Sequence, residues 1–396
     1  MQNNVPKIRL MIIYHSGMTE ASQKIFDEFS KSEFIEEILV LAPYKISVDK
    51  IYNPSDFLEL KKTIKKNNLT IKPIGFMKIG KYYLINPISL LIKIFKFKPS
   101  AILALNEGYS SDLFSVSFIR KFISIFCLKP KIFFYQFENI NKYKIYGLKK
   151  KIVAWFIKKN VKYGFFCSEG AKQALSQPGW FPKLKNVWWG VDIKSFQKEI
   201  SAAEIGAYKK QLGIPTNHKI IGFAGRLVPE KGINDLIGAF LKIKIPSTLL
   251  LAGDGPERNN LEKIKNSLQK TEKQIIILPS QTFSQMPLVY KLMDVLVLPS
   301  RTTEDWKEQY GRVLIEAMAS GVAVAGSSSG AIPEIIDNMG SIFKQGDVEG
   351  LKNAILNELN NFSSEKKKKL QKYSEKGSIE NFTKKIINFI IYCDEN

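Results

Sequence analysis

Cysteine and histidine are scarce, with three and two copies in 396 residues. Cys127, Cys167 and Cys393 form no C-x-x-C pair, and their spacing offers no metal framework, so idle thiols are expected. No run of about 18 apolar residues is free of charge, which argues against a membrane-spanning helix. The opening MQNNVPKIRLMIIYHS starts polar and passes straight into an apolar strand. It lacks the longer apolar core and small-residue cleavage site of a signal peptide, so a cytoplasmic protein is the expectation. Acidic residues are thin in the first half: residues 1–200 hold 33 lysines and arginines against 15 acids, whereas residues 201–396 hold 26 against 22. The net charge of +22 therefore belongs mainly to the first half.

The segment Lys61–Lys98 carries ten lysines and no acid, interleaved with aromatic and aliphatic residues such as Phe76, Tyr82, Leu90 and Phe95. That mixture suits an anionic membrane surface, and the protein is expected to sit peripherally on the inner face of the cytoplasmic membrane. A coding bias toward Lys, Ile, Asn and Phe gives the same composition. A nucleic-acid partner has only charge in its favour and is not expected.

At about 100–200 residues per domain, the length accommodates two domains, each with its own core. Short apolar runs alternate with amphipathic stretches, which implies parallel sheets covered by helices. In the first half, strands are expected at Ile8–Tyr14, Ile38–Ala42, Ala101–Leu105, Ile132–Gln136 and Gly164–Cys167. Helices are expected at Ala21–Ser30, Asp56–Asn67, Leu113–Phe126 and Lys149–Lys159. Pro178, Gly179 and Pro182 then break the pattern. The division expected is 1–193, 194–377 and a C-terminal helix within 378–396 that packs back on the first domain. In the second half, strands are expected at Ile220–Ala224, Thr248–Ala252, Ile275–Leu278, Val295–Leu298, Val322–Gly326 and Gly340–Phe343, separated by helices that include Gly232–Lys242 and Arg312–Ala319.

In open parallel sheets, ligands bind beyond the carboxyl ends of the strands. Gly225-Arg226-Leu227-Val228-Pro229-Glu230-Lys231-Gly232 follows the strand Ile220–Ala224. A glycine turn there sets two cations, Arg226 and Lys231, beside the free N–H groups of a helix start, which suits a phosphate. Gly253-Asp254-Gly255 follows Thr248–Ala252 and permits close backbone approach. After Val295–Leu298, Glu308 stands in a loop and Glu316 in the next helix, on either side of Gly311. A helix-terminus charge accounts for one of these glutamates. Carboxylates accepting hydrogen bonds from sugar hydroxyls account for both.

The Glu-x7-Glu spacing from Glu308 to Glu316, together with Gly225-Arg226-x4-Lys231-Gly232, resembles the retaining glycosyltransferase family 4. The likeness runs over residues ~220–345 and extends to a Gly190-Val191-Asp192 linker. The resemblance implies an α/β chain of two Rossmann-like domains facing a cleft, the GT-B fold. It also implies a retaining transfer of a hexose from a nucleoside diphosphate sugar to a glycan or lipid-linked acceptor, in cell-envelope polysaccharide or glycolipid synthesis. By carry-over, Arg226 and Lys231 hold the donor diphosphate, Glu308 faces the transferred sugar and Glu316 takes the ribose hydroxyls. Gly225, Asp254 and Gly255, with Gln309, Tyr310, Gly311, Arg312 and Val313, complete the donor side. No cofactor and no metal are implied.

The first half departs from the family pattern. Its first loop, His15-Ser16-Gly17-Met18, has one glycine, and the strand ending at Gln136 is followed by no histidine. The acceptor-side candidates are His15, Gln136, Glu138 and Asn139. A nucleotide-sugar epimerase of the same architecture would want histidines in the cleft, and their shortage disfavours it. A non-catalytic, membrane-associated partner of an envelope-glycan assembly complex is disfavoured by the intact Arg226, Lys231, Glu308 and Glu316.

Overall fold

The computed structural model describes residues 7–14, 18–44, 60–79, 82–141, 148–175, 182–268 and 273–395. Among the described residues the chain forms two compact units: those up to 190 together with 379–395, and those from 191 to 378. The C-terminal helix thus belongs to the first unit.

Unit 1 contains β1 (Ile8–Ile13), α1 (Glu20–Ser30), β2 (Ile35–Pro43), β3 (Ile64–Lys66), β4 (Leu69–Ile74), β5 (Phe76–Ile79), β6 (Tyr82–Ile85), α2 (Pro87–Phe97) and β7 (Ala101–Ala104). It continues with α3 (Ser111–Ile123), β8 (Lys131–Gln136), α4 (Leu148–Asn160), β9 (Tyr163–Phe166), α5 (Glu169–Ala174) and β10 (Lys183–Asn186). Its eight-stranded sheet runs β10-β9-β8-β7-β1-β2-β4-β3, parallel except for the edge strand β3. β1, β2 and β7 are nearly continuous apolar runs, as expected of central strands covered on both faces.

The helix expected over Asp56–Asn67 is a correction. Residues 56–59 lie outside the described residues, and Ile64–Lys66 is a strand paired antiparallel with β4. Its lysines read as a helix face, but Asn67, at φ 49, turns the chain back so that Lys66 pairs with Leu69. Asparagine tolerates that left-handed conformation, and hairpin pairing overrides helix propensity. The hairpin β5–β6 and helix α2 were not expected either. The described part of Lys61–Lys98 therefore spreads over several elements.

Unit 2 opens with the short α6 (Ile193–Gln197) and α7 (Ala202–Gln211). There follow β11 (Lys219–Ala224), α8 (Ile233–Lys242), β12 (Ser247–Ala252), α9 (Arg258–Ser267), β13 (Lys273–Leu278), α10 (Met286–Leu292), β14 (Val295–Leu298) and α11 (Arg312–Ala319). β15 (Ala323–Ser327), α12 (Ile332–Ile336), β16 (Ser341–Phe343), α13 (Val348–Asn360) and α14 (Ser364–Ser374) complete it, and α15 (Ile379–Glu395) returns to unit 1. The parallel sheet runs β13-β12-β11-β14-β15-β16, so the strand order reverses between β11 and β14. That reversal opens a crevice outside the carboxyl ends of those two strands, the usual ligand position in a doubly wound sheet. The chain enters unit 2 at Val191 and leaves it at Ser378, and the two residues pair in parallel. Among the described residues, no helix is long and apolar enough to cross a membrane.

Candidate functional site

The loops after β11 and β14 meet at this switch point. Lys231 ends a 3-10 turn, Pro229–Lys231, just before α8. Its Nζ donates to Oε2 of Glu308 at 2.6 Å, and both side chains are largely buried, with 14% and 10% of their surface exposed. The Ser300 hydroxyl donates to the same carboxylate oxygen at 2.7 Å. The Lys231 ammonium also lies 5.0 Å from the centre of the Trp306 ring. The Arg301 amide donates to the Glu230 carbonyl at 2.8 Å, while the Arg301 guanidinium holds Asp235 on α8. The two loops are thus joined by backbone as well as by charge.

The turn after β12 supports the first loop from the other side. The Leu227 amide donates to the Asp254 carbonyl at 2.8 Å, and the Glu257 amide to the Leu227 carbonyl at 3.0 Å. Gly253 has φ +151, and a Cβ there would stand 1.9 Å from the Gly225 carbonyl oxygen. Only glycine lets the strands' ends come this close. The Asp254 carboxylate is exposed; it accepts from the Gly255 amide and lies 3.9 Å from Arg258. Arg226 is half-buried at the mouth of β11.

Glu316 does not join Glu308. It is buried on α11, where the Tyr290 hydroxyl donates to its Oε2 at 2.6 Å and Arg312 Nε lies 3.0 Å from its Oε1. Burial pushes the Tyr290 hydroxyl well above its ordinary range, and the Glu316 charge and hydrogen bond add to this. Tyr290 therefore stays protonated and donates. Gly311 caps the start of α11, with Arg312 exposed and Val313 half-buried. Gln309 is half-buried. Tyr310 is buried, its hydroxyl packed toward Gly377.

Ser300 and Tyr290 were missed as partners of the two glutamates. Ser300 lies in the same loop as Glu308, where a hydroxyl close to a carboxylate was a readable hint. Tyr290 sits on α10, 26 residues before Glu316, with no local signal. His218 is half-buried with Nδ1 3.0 Å from the Thr248 hydroxyl.

In unit 1 the order reverses between β1 and β7. His15 lies outside the described residues. Gln136, at the end of β8, is buried; its Oε1 accepts from the Gly108 amide at 2.9 Å and its Nε2 donates to the Glu138 carbonyl at 2.7 Å. The Glu138 carboxylate accepts from the Ile140 amide at 3.1 Å. Asn139 is buried against Gly170. Gln136 and Glu138, with Asn106 and Glu107 from the loop after β7 and with Tyr109 and Ile140, line a cavity of about 210 Å³.

Asp112 lies behind this cavity, 3% exposed, with Oδ2 accepting from Asn106 Nδ2 at 2.8 Å and no hydrogen-bond partner for Oδ1. Burial pushes its carboxyl up to about 6, partly offset by the Asn106 bond. The folded value lies above the unfolded one, so the folded state binds this proton more readily. Stability from this group is greatest at low pH and falls as pH rises through about 6. Asp112→Asn is expected to raise stability by about 1–3 kcal/mol at pH 8 and to change it little at pH 4. Chemical denaturation at both pH values checks this; an equal effect at both would contradict it.

Residues 204–377 match the model of a family described as Glycosyl transferases group 1. An uncharacterized glycosyltransferase of Methanocaldococcus jannaschii is 34% identical over 156 residues, 39% of this chain and 38% of that protein. The N-acetyl-alpha-D-glucosaminyl L-malate synthase of Bacillus anthracis is 33% identical over 147 residues, 36% of each. These matches span little more than a third of the length of either relative. Among solved structures, Anabaena HepE in complex with UDP and glucose superposes on 97% of this chain and 99% of its own, with TM-score 0.69 and 17% identity. That likeness is one of fold.

Proposed function

We propose that the protein is a retaining glycosyltransferase using a nucleoside diphosphate sugar, a reading supported by the match of residues 204–377 to the glycosyl transferases group 1 model and by the GT-B fold. The observation that carries the reading is the Lys231–Glu308 pair, held with Arg226 where strand order reverses in unit 2. The reading places a sugar diphosphate here. Arg226 and the remaining N–H groups of Lys231 meet phosphate oxygens, and the amides at the starts of α8 and α11 add donors. Glu308 aims Lys231 and faces the sugar, while Glu316 takes the ribose hydroxyls in place of Arg312.

In the transfer, the bond from the anomeric carbon to the diphosphate oxygen breaks and a bond to the acceptor oxygen forms on the same face. The acceptor proton passes to the departing phosphate. Negative charge grows on the diphosphate, and fixed cations there lower the barrier more than they strengthen ground-state binding. Arg226 and Lys231 supply that charge, so the reaction is expected to need no metal. The acceptor is a glycan or lipid-linked glycan of the cell envelope, and Gln136, Glu138 and Asn139 are its candidate contacts. A uridine donor is the first to try, because the HepE structure holds UDP and glucose.

The test is a thermal-shift screen of nucleotide sugars. A ligand at 100 times its dissociation constant adds about 2.7 kcal/mol and raises the melting temperature visibly. Glu316→Gln should abolish most of that shift, because an amide is no longer a pure acceptor toward ribose hydroxyls. Transfer with the best donor should survive a chelator. No shift with any nucleotide sugar would sink the proposal.

A further inference from the structure

Three helices of unit 1 each show an apolar stripe to solvent on the side away from the core. On α2, Leu90, Ile94 and Phe97 are buried, while Ile88 and Ile92 are 69% and 49% exposed. On α3 and the 3-10 turn Ser124–Phe126 that continues it, Phe118, Phe122, Ile125 and Phe126 are at least half exposed. On α4, Leu148, Ile152 and Trp155 are 76%, 56% and 53% exposed. Each set is spaced close to i, i+4, i+7, so each lies along one line of its helix.

The stripes join. Phe95 of α2 packs edge-on against Phe126 at 5.5 Å between ring centres, and Phe118 meets Phe156 of α4 at 6.1 Å. Among the described residues, nine of the sixteen exposed large hydrophobic side chains fall on this one face, and the other seven are scattered. A contiguous exposed apolar patch of this kind marks an interaction surface.

The charge on its three helices is almost all of one sign. The three helices carry nine lysines and arginines and a single acid, Asp112, which is buried. Lys159 sits over the Trp155 ring at 4.2 Å, and Lys121 lies 5.9 Å from the centre of the Phe156 ring. Lys93 and Lys96 flank the stripe of α2 and, with Lys72, Arg9 and one acid, Glu37, which pairs with Arg9, line a cavity of about 280 Å³. A protein partner built like this one would have to supply many acids around an apolar centre. An anionic bilayer offers both at once, with phosphates for the lysines and an interface that accepts aromatic rings.

We propose that the face made by α2, α3 and α4 docks unit 1 on an anionic phospholipid bilayer. Ile88, Ile92, Phe122, Ile125 and Trp155 enter the interface, and the lysines beside them hold the headgroup phosphates. The inference stands apart from the catalytic reading, because docking needs neither donor nor turnover.

The full chain is floated with phosphatidylglycerol–phosphatidylcholine vesicles and with phosphatidylcholine vesicles, at low and high salt. Parent protein should float with the anionic vesicles at low salt and be weakened by high salt. Phe122→Ser/Ile125→Ser/Trp155→Ser and Lys121→Glu/Lys151→Glu/Lys159→Glu should each partition at least about tenfold less, with unchanged melting temperatures. Failure of the parent to float with anionic vesicles overturns the proposal. So does equal flotation with both vesicle types, or variants that float like the parent. A dimer lost in the apolar variant, with no vesicle binding, would show instead that a second copy covers the face.

Discussion

Lys231→Met is expected to lower turnover about 10²–10³-fold, the usual cost of removing one fixed donor aimed at charge that grows in the transition state. The same change should also destabilise unit 2. It leaves the charge of Glu308, a buried residue, without its lysine partner, while Ser300 still donates to Oε2. Breaking a buried pair from one side costs about 3–5 kcal/mol. The two effects separate in Lys231→Met/Glu308→Gln, which removes both charges. That double variant should recover much of the stability and none of the turnover. Denaturation curves and kcat for the two variants decide it. If the double variant turns over normally, Lys231 serves only as the counter-ion of Glu308. Arg226→Ala, at a half-buried position, should cost turnover about 30–1000-fold with little change in stability.

Gly330→Ala should be among the most damaging single methyls in unit 2. Gly330 has φ +56, and a Cβ there would stand 1.9 Å from the Glu308 carbonyl oxygen. That carbonyl accepts from the Ala331 amide at 3.0 Å, so the clash displaces the segment that carries Glu308. Left-handed backbone costs an alanine about 1–2 kcal/mol before the clash is counted. A total loss above about 3 kcal/mol, with turnover falling in parallel, is the expected result. Gly206→Ala is the control. It lies within α7 with nothing within 4 Å of its Cβ position, and should stabilise by up to about 1 kcal/mol. Similar effects of the two substitutions on stability would refute the account of the Glu308 loop.

Much of unit 2 was legible because its signals are local. Val295–Leu298 and Arg312–Ala319 occupy the residues expected, since a short apolar run closed by Pro299 and a helix opened by Gly311 carry their own boundaries. Unit 1 was harder. Its β3–β4 hairpin rests on pairing around Asn67, where the lysines of the flanking segment resemble an exposed helix face. Gln136 and Glu138 were legible as polar residues at a strand end. That Gln136 spends both ends of its amide on the loops around it was not, because Gly108 stands 28 residues away.

What the sequence determined by itself was the alternation of strands and helices, the excess of basic charge in the first half, and the loops after β11 and β14 as the places for chemistry. These follow from periodicity and turn residues within short windows. The tertiary structure decided which groups meet. Lys231 finds Glu308 across 77 residues, and Tyr290 finds Glu316 across 26. Strand order sets such pairings, and no local window contains it. It also decided which apolar residues are core. On α2 and α4 apolar side chains lie on more than one side of the helix, and the pattern is the same whether the sheet or the solvent takes a given stripe. Only the packing of each helix on its sheet shows that Ile94 and Ile157 are buried and that Ile92 and Trp155 face outward.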